Sequence, residues 1–144
     1  MKMRINPLLN FKGNTEEAFN FYKSVFGGDF SRLMRYDELP GSEKLPEADR
    51  KKIMHIALPI GNGSVLMAAD VIEAMGNQLF AGNNFYLHIE AESRKEADRF
   101  YTALSAEGSA TMPMMDAFWG SYFGILTDKF GIQWMVGFDP NENK

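Results

Sequence analysis

The pattern of apolar and polar positions occurs twice along this chain. Between residues 14 and 28, apolar side chains fall at i, i+3, i+4, i+7 and i+8, counted from Ala18. A shift of 79 positions places the same pattern on a second segment, counted from Ala97. This spacing predicts an amphipathic helix whose apolar stripe packs on a sheet. We therefore predict two equivalent helices.

Both predicted helices open with the sequence of a capping box. Asn14 with Glu17, and Ser93 with Glu96, stand at the required separation of three residues. In this motif the first side chain accepts a hydrogen bond from the backbone at the third helical residue, and the glutamate reaches back. We expect both helices to begin in the same way.

Extended segments surround each helix. Apolar runs predict strands over 4–11, 29–36, 53–60 and 64–70 around the first helix, and over 84–90, 109–115, 118–127 and 132–138 around the second. Gly61-Asn62-Gly63 is a short turn that joins 53–60 to 64–70 as a hairpin. The order strand, helix and three strands therefore occurs twice.

The remaining segments connect these elements. Residues 37–52 are charged and hold two prolines, which predicts a solvated loop that acts as a connector or as a mobile lid. Residues 71–82 form a predicted linker and 139–144 a polar tail. A half-chain of about 70 residues would be only marginally stable alone. We therefore predict a single domain over 1–144, with module 1 at 1–70 and module 2 at 83–138.

These elements predict an α+β fold. Two βαβββ modules would form a curved, open barrel-like mixed sheet with their helices outside. The uncovered side of such a sheet is concave, and a concave surface is where a ligand binds. A pocket on that side is the expected functional site.

Composition excludes several classes of function. The formal net charge is −4 and the Lys and Arg residues are scattered, which argues against a nucleic-acid partner. No apolar run is long enough for a signal peptide or a membrane helix, so we expect a cytoplasmic protein without a membrane partner. The chain has no cysteine, which excludes thiolate catalysis and cysteine-type zinc sites.

Two histidines and one glutamate form a possible metal site. His55 and His88 are the only histidines, and Glu90 shares a strand face with His88. A divalent metal held by His55, His88 and Glu90 is one hypothesis. Hydrogen-bonded structural histidines are the other.

Two aspartates are candidates for a catalytic acid or base. Asp70 ends an apolar hairpin strand, and Asp116 stands just before Phe118-Trp119. A carboxyl group facing the concave side could have a raised pKa and move protons. Aspartates at such positions also begin or cap turns, and Asp128 is predicted to be a turn residue.

Ten methionines and several aromatic residues could line the pocket. Thioethers adapt to varied apolar ligands, but they also fill cores and dimer interfaces. The residues that we predict to line the pocket are Met67, Tyr86, His88, Met115, Trp119, Tyr122, Gln133 and Met135. Strand alternation puts Gln133 and Met135 on one side, with Trp134 on the other side and buried under the helices.

The helix sequence Glu-Ala-x-x-Phe-Tyr and the segment FWGSYFGILTDKFGIQWMV, residues 118–136, resemble the vicinal oxygen chelate superfamily, and within it the PhnB-like branch. This superfamily includes glyoxalase I, extradiol dioxygenases, fosfomycin-modifying enzymes and bleomycin-binding resistance proteins. The resemblance covers essentially the whole chain. It implies paired βαβββ modules, an open cup and, in many members, a homodimer.

The resemblance also implies where metal ligands would stand. The four ligand positions of the metal enzymes fall near Pro7, Met67, Asn84 or Tyr86, and Met135 in this chain. None of these side chains suits a hard divalent ion. The chain also lacks the glycine-rich turn that an S-adenosylmethionine site usually has.

These observations leave three functional hypotheses. The first is a metal-free homodimer that binds a small, partly apolar molecule in the concave pocket and uses no cofactor. The alternative is a metal-dependent lyase, isomerase or dioxygenase of the glyoxalase type. The third is a metal-independent enzyme in which Asp70 or Asp116 acts as acid or base.

Overall fold

The computed structural model describes residues 2–141. The end of the predicted polar tail, residues 142–144, lies outside the described residues. The chain divides into two compact units, one ending at Phe80 and the other beginning at Ala81. This boundary falls inside the predicted linker. Module 1 therefore extends to residue 80, and module 2 begins at residue 81.

Module 1 contains the strands and helices β1 (Leu8–Phe11), α1 (Thr15–Phe26), β2 (Arg32–Arg35), α2 (Glu47–Arg50), β3 (Ile53–Ile60) and β4 (Ser64–Asp70). Three short 3₁₀ turns complete it, at Tyr36–Glu38, Ser42–Lys44 and Glu73–Met75. The hairpin of β3 and β4 has the predicted bounds. Helix α1 also matches its predicted segment.

Module 2 contains β5 (Leu87–Glu90), α3 (Arg94–Ser105), β6 (Ser109–Asp116), β7 (Tyr122–Thr127) and β8 (Gln133–Phe138). The strand predicted over 118–127 begins later because residues 117–121 form a tight turn. In that turn the Ala117 N–H donates to Ser121 O at 2.8 Å, and the Gly120 N–H donates to Ala117 O at 3.0 Å.

Both modules have the same sheet topology. The strand order is β1-β4-β3-β2 in module 1 and β5-β8-β7-β6 in module 2. The first strand of each module runs parallel to the last, and the other pairs are antiparallel. The predicted α+β class with two βαβββ modules is therefore confirmed.

Each sheet has one face covered by its helix, and we call the other its open face. In module 1 the buried residues Leu9 and Leu66 alternate with exposed or half-buried neighbours, and they face α1 together with the buried Ile56. Phe19 and Tyr22 of α1 are fully buried against them. In module 2, Trp134 is buried at 3% exposure, as the sequence predicts. This alternation leaves the intervening residues on the open face.

The two long helices begin differently, although the same capping box is predicted for both. Ser93 Oγ accepts a hydrogen bond from the Glu96 backbone N–H at 3.0 Å, as predicted, while the Glu96 carboxylate accepts from the Glu92 N–H. Asn14 makes no side-chain capping bond, so the prediction for α1 is wrong. Instead, the carboxylate of Asp70, at the end of β4, accepts a hydrogen bond from the first backbone N–H of α1.

The segment 37–52 is a folded connection with its own hydrogen bonds. Lys51 pairs with Asp37 at 2.7 Å, and the Arg50 side chain donates to the Leu45 and Glu43 carbonyls at 3.2 and 2.9 Å. Arg35, at its start, makes a two-bond ion pair with Glu16 of α1. These contacts support the prediction that the segment acts as a connector. A lid function stays a prediction.

Close packing at Gly124 gives a testable consequence. A Cβ atom there would stand 2.8 Å from Met114 Sδ, 2.9 Å from Tyr101 Cε2 and 3.0 Å from Met112 O. Overpacking of this kind costs roughly 1–3 kcal/mol, so Gly124→Ala is expected to lower the free energy of unfolding by about 2 kcal/mol in urea titrations. Gly82→Ala is the control, because nothing lies within 4 Å of its Cβ position. Equal stabilities of the two variants would contradict this packing.

Among the described residues, no helix has the length and apolar character needed to cross a membrane.

Candidate ligand-binding face

Strand register in module 2 builds a row of side chains across its open face. His88 is paired with Met135, Met135 with Ile125, and Ile125 with Met112. Directly paired residues on neighbouring strands point to the same side of a sheet. One imidazole therefore stands at the end of an apolar row that contains two thioethers.

A second row lies beside the first. Glu90 is paired with Gly137, Gly137 with Phe123, and Phe123 with Met115. A Cβ atom at Gly137 would stand 3.3 Å from Phe123 Cβ and 3.7 Å from His88 Nε2. Because glycine has no side chain, the imidazole and the phenyl ring come close to each other above this position.

A bulge in β6 brings Met112 and Met115 onto the same face. The two residues are an odd number of positions apart, and regular alternation would point them to opposite sides. Their partners Ile125 and Phe123 are two positions apart, and the register of β6 shifts between the two methionines. The extra residue of a bulge reverses the alternation. Met112 and Met115 are 37% and 49% exposed.

An aromatic cluster stands at the end of this face, in the turn between β6 and β7. The Trp119 ring stacks on Phe123, with centroids 5.8 Å apart and planes at 26°. Phe118 meets Trp119 edge to face at 5.0 Å. Trp119 is 57% exposed and Phe118 is 98% exposed, so both rings are accessible in this chain. A flat molecule could stack against them.

The remaining predicted pocket residues lie in several places. Tyr86 is 47% exposed and stands just before β5. Gln133 is paired with Thr127 at the far end of β8, and its side-chain amide donates to Phe85 O at 2.7 Å. Met67 lies in module 1, where it is paired with Leu8 on the open face of that sheet.

Tyr122 lies on the helix-covered side of module 2 rather than on the open face. It is paired with Asp116 and Phe138, and its hydroxyl donates to Asp98 of α3. The Arg94 guanidinium stacks over its ring at 3.8 Å. The hydrogen bond to the Asp98 carboxylate raises the pKa of Tyr122. These contacts fix the phenol ring against α3.

Asp70 is enclosed by four hydrogen bonds and is 2% exposed. Its Oδ1 accepts from the Gly13 N–H at 2.9 Å, from the Thr15 N–H at 3.0 Å and from the Thr15 hydroxyl at 2.7 Å. Its Oδ2 accepts from the Ile53 N–H at 2.9 Å. The carboxylate therefore fixes the start of α1 to the start of β3, which is a structural role.

Asp116 is an exposed ion-pair partner. Its carboxylate accepts from Arg94 at 2.6 and 3.3 Å. The hydrogen bond from Arg94 lowers the pKa of Asp116, which makes it a weaker base. Since its neighbour Met115 points to the open face, Asp116 points away from that face.

Asp128 is a turn residue, as predicted, and it also anchors Trp134. Its Oδ1 accepts from the Phe130 and Ile132 N–H groups at 2.9 and 3.0 Å. Its Oδ2 accepts from Trp134 Nε1 at 2.8 Å. The aspartate is 3% exposed.

The possible metal ligands belong to different modules. His55 is paired with Met34 on the open face of module 1, whereas His88 and Glu90 share the open face of module 2. Within residues 2–141, no group of three or more His, Asp or Glu side chains could hold a metal ion.

Four residues of the open face are not among the predicted pocket residues: Met112, Phe123, Ile125 and Gly137. Alternation along β7 and β8 carries the signal for Phe123, Ile125 and Gly137, because Met135 is on their side. No local signal places Met112, since its orientation depends on the bulge in β6.

Comparisons with known proteins place this architecture among characterised folds. Residues 3–137 match the family model described as 3-demethylubiquinone-9 3-methyltransferase. A crystal structure of a Pseudomonas aeruginosa protein is 33% identical, with a TM-score of 0.83, covering 96% of this chain and 98% of that one. A putative 3-demethylubiquinone-9 3-methyltransferase, PhnB protein, from Bacillus cereus is 27% identical, with a TM-score of 0.76, covering 94% and 99%.

A more distant structure shares the fold alone. A glyoxalase/bleomycin resistance protein from Albidiferax ferrireducens is 14% identical, with a TM-score of 0.63, covering 92% of this chain and 95% of that one.

Proposed function

This chain belongs to the PhnB-like branch of the vicinal oxygen chelate superfamily, and from that membership we propose that it binds a small, partly apolar molecule on the open face of module 2, without a metal ion. The ligand would contact the Trp119 ring and the thioethers of Met112, Met115 and Met135. His88 would supply a hydrogen bond to a polar atom of the ligand.

The observation that carries this proposal is the accessible aromatic and thioether surface. Trp119 and Phe118 expose large ring areas, although apolar rings of this size are usually covered in a soluble protein. Methionine side chains bend to fit varied shapes, and a stacked ring gives orientation. A planar ligand with one polar group matches both features.

His88 is the polar group best placed to orient such a ligand. It is exposed on the open face, and no hydrogen bond engages its ring within residues 2–141. Its Nε2 lies 3.7 Å from the Cβ position of Gly137, next to Phe123. A neutral imidazole can donate from one nitrogen and accept at the other, so it can bind a hydroxyl or a carbonyl group.

The surroundings of Met67 and Met135, two of the positions that the resemblance gives to metal ligands, support a metal-free function. Strand register puts Leu8 beside Met67 and His88 beside Met135, in each case on the first and last strands of a module. These four residues supply one imidazole and two thioethers. Hard divalent ions prefer oxygen and nitrogen ligands, and three protein ligands are usual in a catalytic zinc site.

The methyltransferase description of the family implies S-adenosylmethionine, and the residues at the helix starts do not fit it. A bound cofactor commonly uses free backbone N–H groups at a glycine-rich turn between a strand and a helix. Here the Gly13 and Thr15 N–H groups at the start of α1 are already bonded to Asp70, and Ser93 caps α3. We derive no methyl transfer from this site.

Elemental analysis and ligand screening test the metal-free proposal. Protein purified without chelator is expected to contain far less than one equivalent of Ni, Zn, Fe or Mn per chain, and EDTA is expected to leave ligand affinity unchanged. One equivalent of metal per chain, with affinity lost after EDTA, would support the metal-dependent alternative instead.

We also propose that the protein is a homodimer. The exposed apolar side chains of Met3, Ile5 and Phe85 support this proposal, because a second chain could cover them. Sedimentation equilibrium is expected to give twice the 16.3 kDa mass of one chain at micromolar concentration. A single species of 16.3 kDa at all concentrations would contradict it.

A further inference from the structure

A cavity of about 370 Å³ lies in module 1, at the carboxyl ends of the parallel strands β1 and β4. The Val71 N–H donates to Phe11 O at 2.7 Å, so the residues that follow each strand leave the sheet side by side. The 3₁₀ turn Glu73–Met75 ends at Gly76 in the left-handed region, and the segment after it forms another wall. This cavity shares no residue with the open face of module 2.

The charged groups of this cavity are of two kinds. The Lys52 ammonium donates a hydrogen bond to Asp49 at 2.8 Å, and this bond raises the pKa of Lys52. Lys12 and Glu73 also line the cavity, and neither has an ion-pair partner within the described range 2–141. One cationic and one anionic side chain therefore remain available to a ligand.

The other lining groups suit a small amphipathic molecule. The Asn77 and Gln78 amides can donate and accept hydrogen bonds, and no internal bond engages either side chain in the described part of the chain. Leu79 and Phe80 add an apolar wall, and Phe80 is 84% exposed. A volume of this size is within the range of small-molecule sites.

We propose that this cavity binds a zwitterionic α-amino acid with an apolar side chain. Lys12 would pair with the ligand carboxylate and Glu73 with its ammonium group, while Phe80 contacts the side chain. The four charged residues of the lining sum to zero, which disfavours polyanions such as nucleotides. This proposal is independent of the ligand on the open face of module 2.

The test is a titration of the full-length, ¹⁵N-labelled protein with L-phenylalanine, followed by amide chemical shifts. Shifts are expected at Lys12, Glu73 and Gln78. Phenethylamine and 3-phenylpropionate each lack one charge and are expected to bind about fivefold more weakly, since an exposed ion pair contributes up to about a factor of five.

Charge-removing variants give the matched comparison. Lys12→Met and Glu73→Gln are each expected to weaken L-phenylalanine binding about fivefold, while Lys44→Met, an exposed change elsewhere, leaves it unaltered. All three sites are exposed, so unchanged spectra of the free variants will verify folding. The proposal is overturned if the cavity amides do not shift, if 3-phenylpropionate binds as tightly as L-phenylalanine, or if both variants bind like the parent protein.

Discussion

Asp70→Asn is expected to lower the free energy of unfolding by about 3 kcal/mol or more, the largest stability effect that we predict for a single substitution. The carboxylate accepts hydrogen bonds from three backbone N–H groups and one hydroxyl in a buried position. An amide of the same shape turns one acceptor into a donor that faces a backbone N–H. A buried donor without an acceptor costs roughly 1–3 kcal/mol, and neighbouring bonds weaken with it.

Urea denaturation followed by far-ultraviolet circular dichroism is the suitable measurement. Fluorescence would miss module 1, because both tryptophans of the chain, Trp119 and Trp134, lie in module 2. Asp29→Asn is the control, since that side chain is 92% exposed and its ion pair with Lys23 is a surface one. We expect Asp29→Asn to change stability by less than about 0.5 kcal/mol. An Asp70→Asn protein as stable as the control would refute the anchoring role.

Trp119→Ala is expected to weaken ligand binding on the open face of module 2 by about 30-fold, which corresponds to about 2 kcal/mol. The indole ring stacks on Phe123 and is 57% exposed, so it provides an accessible, oriented ring surface beside the thioether rows. Its removal deletes a stacking surface without opening the core. Calorimetric titration with a ligand identified by screening measures the change.

Phe80→Ala separates this effect from a general loss of exposed aromatic surface. Phe80 is 84% exposed but belongs to module 1. The Phe80→Ala variant is expected to bind the module 2 ligand with an affinity within twofold of that of the parent protein. If Trp119→Ala also leaves affinity within twofold, the ligand does not stack on this ring.

Local sequence signals predict the elements of this fold well where the determining contacts are also local. The hairpin of β3 and β4 has its predicted bounds because Gly61-Asn62-Gly63 can adopt the required turn by itself. The Ser93 cap is likewise a contact over three residues. The cap at Asn14 fails because Asp70, 55 residues beyond Thr15, supplies a better-placed acceptor.

The candidate site is predictable only in part, because contacts between residues far apart in the sequence also determine it. Alternation along β8 separates Met135 from Trp134, and the structure places them on opposite faces. The bulge in β6 depends on pairing with β7, so the orientation of Met112 does not follow from local spacing. Long-range pairing sets which side chains share a face.

Methyl spectra of the protein labelled with ¹³C at its methionine methyl groups give the most direct test of the proposed function. The sample would be treated with EDTA and titrated with planar aromatic fragments that carry one polar group. We predict shifts at Met112, Met115 and Met135, and none at Met75, which is exposed in module 1. Shifts that occur only after a divalent metal is added, or fragment binding that leaves those three methyl groups unchanged, would contradict metal-free binding on this face.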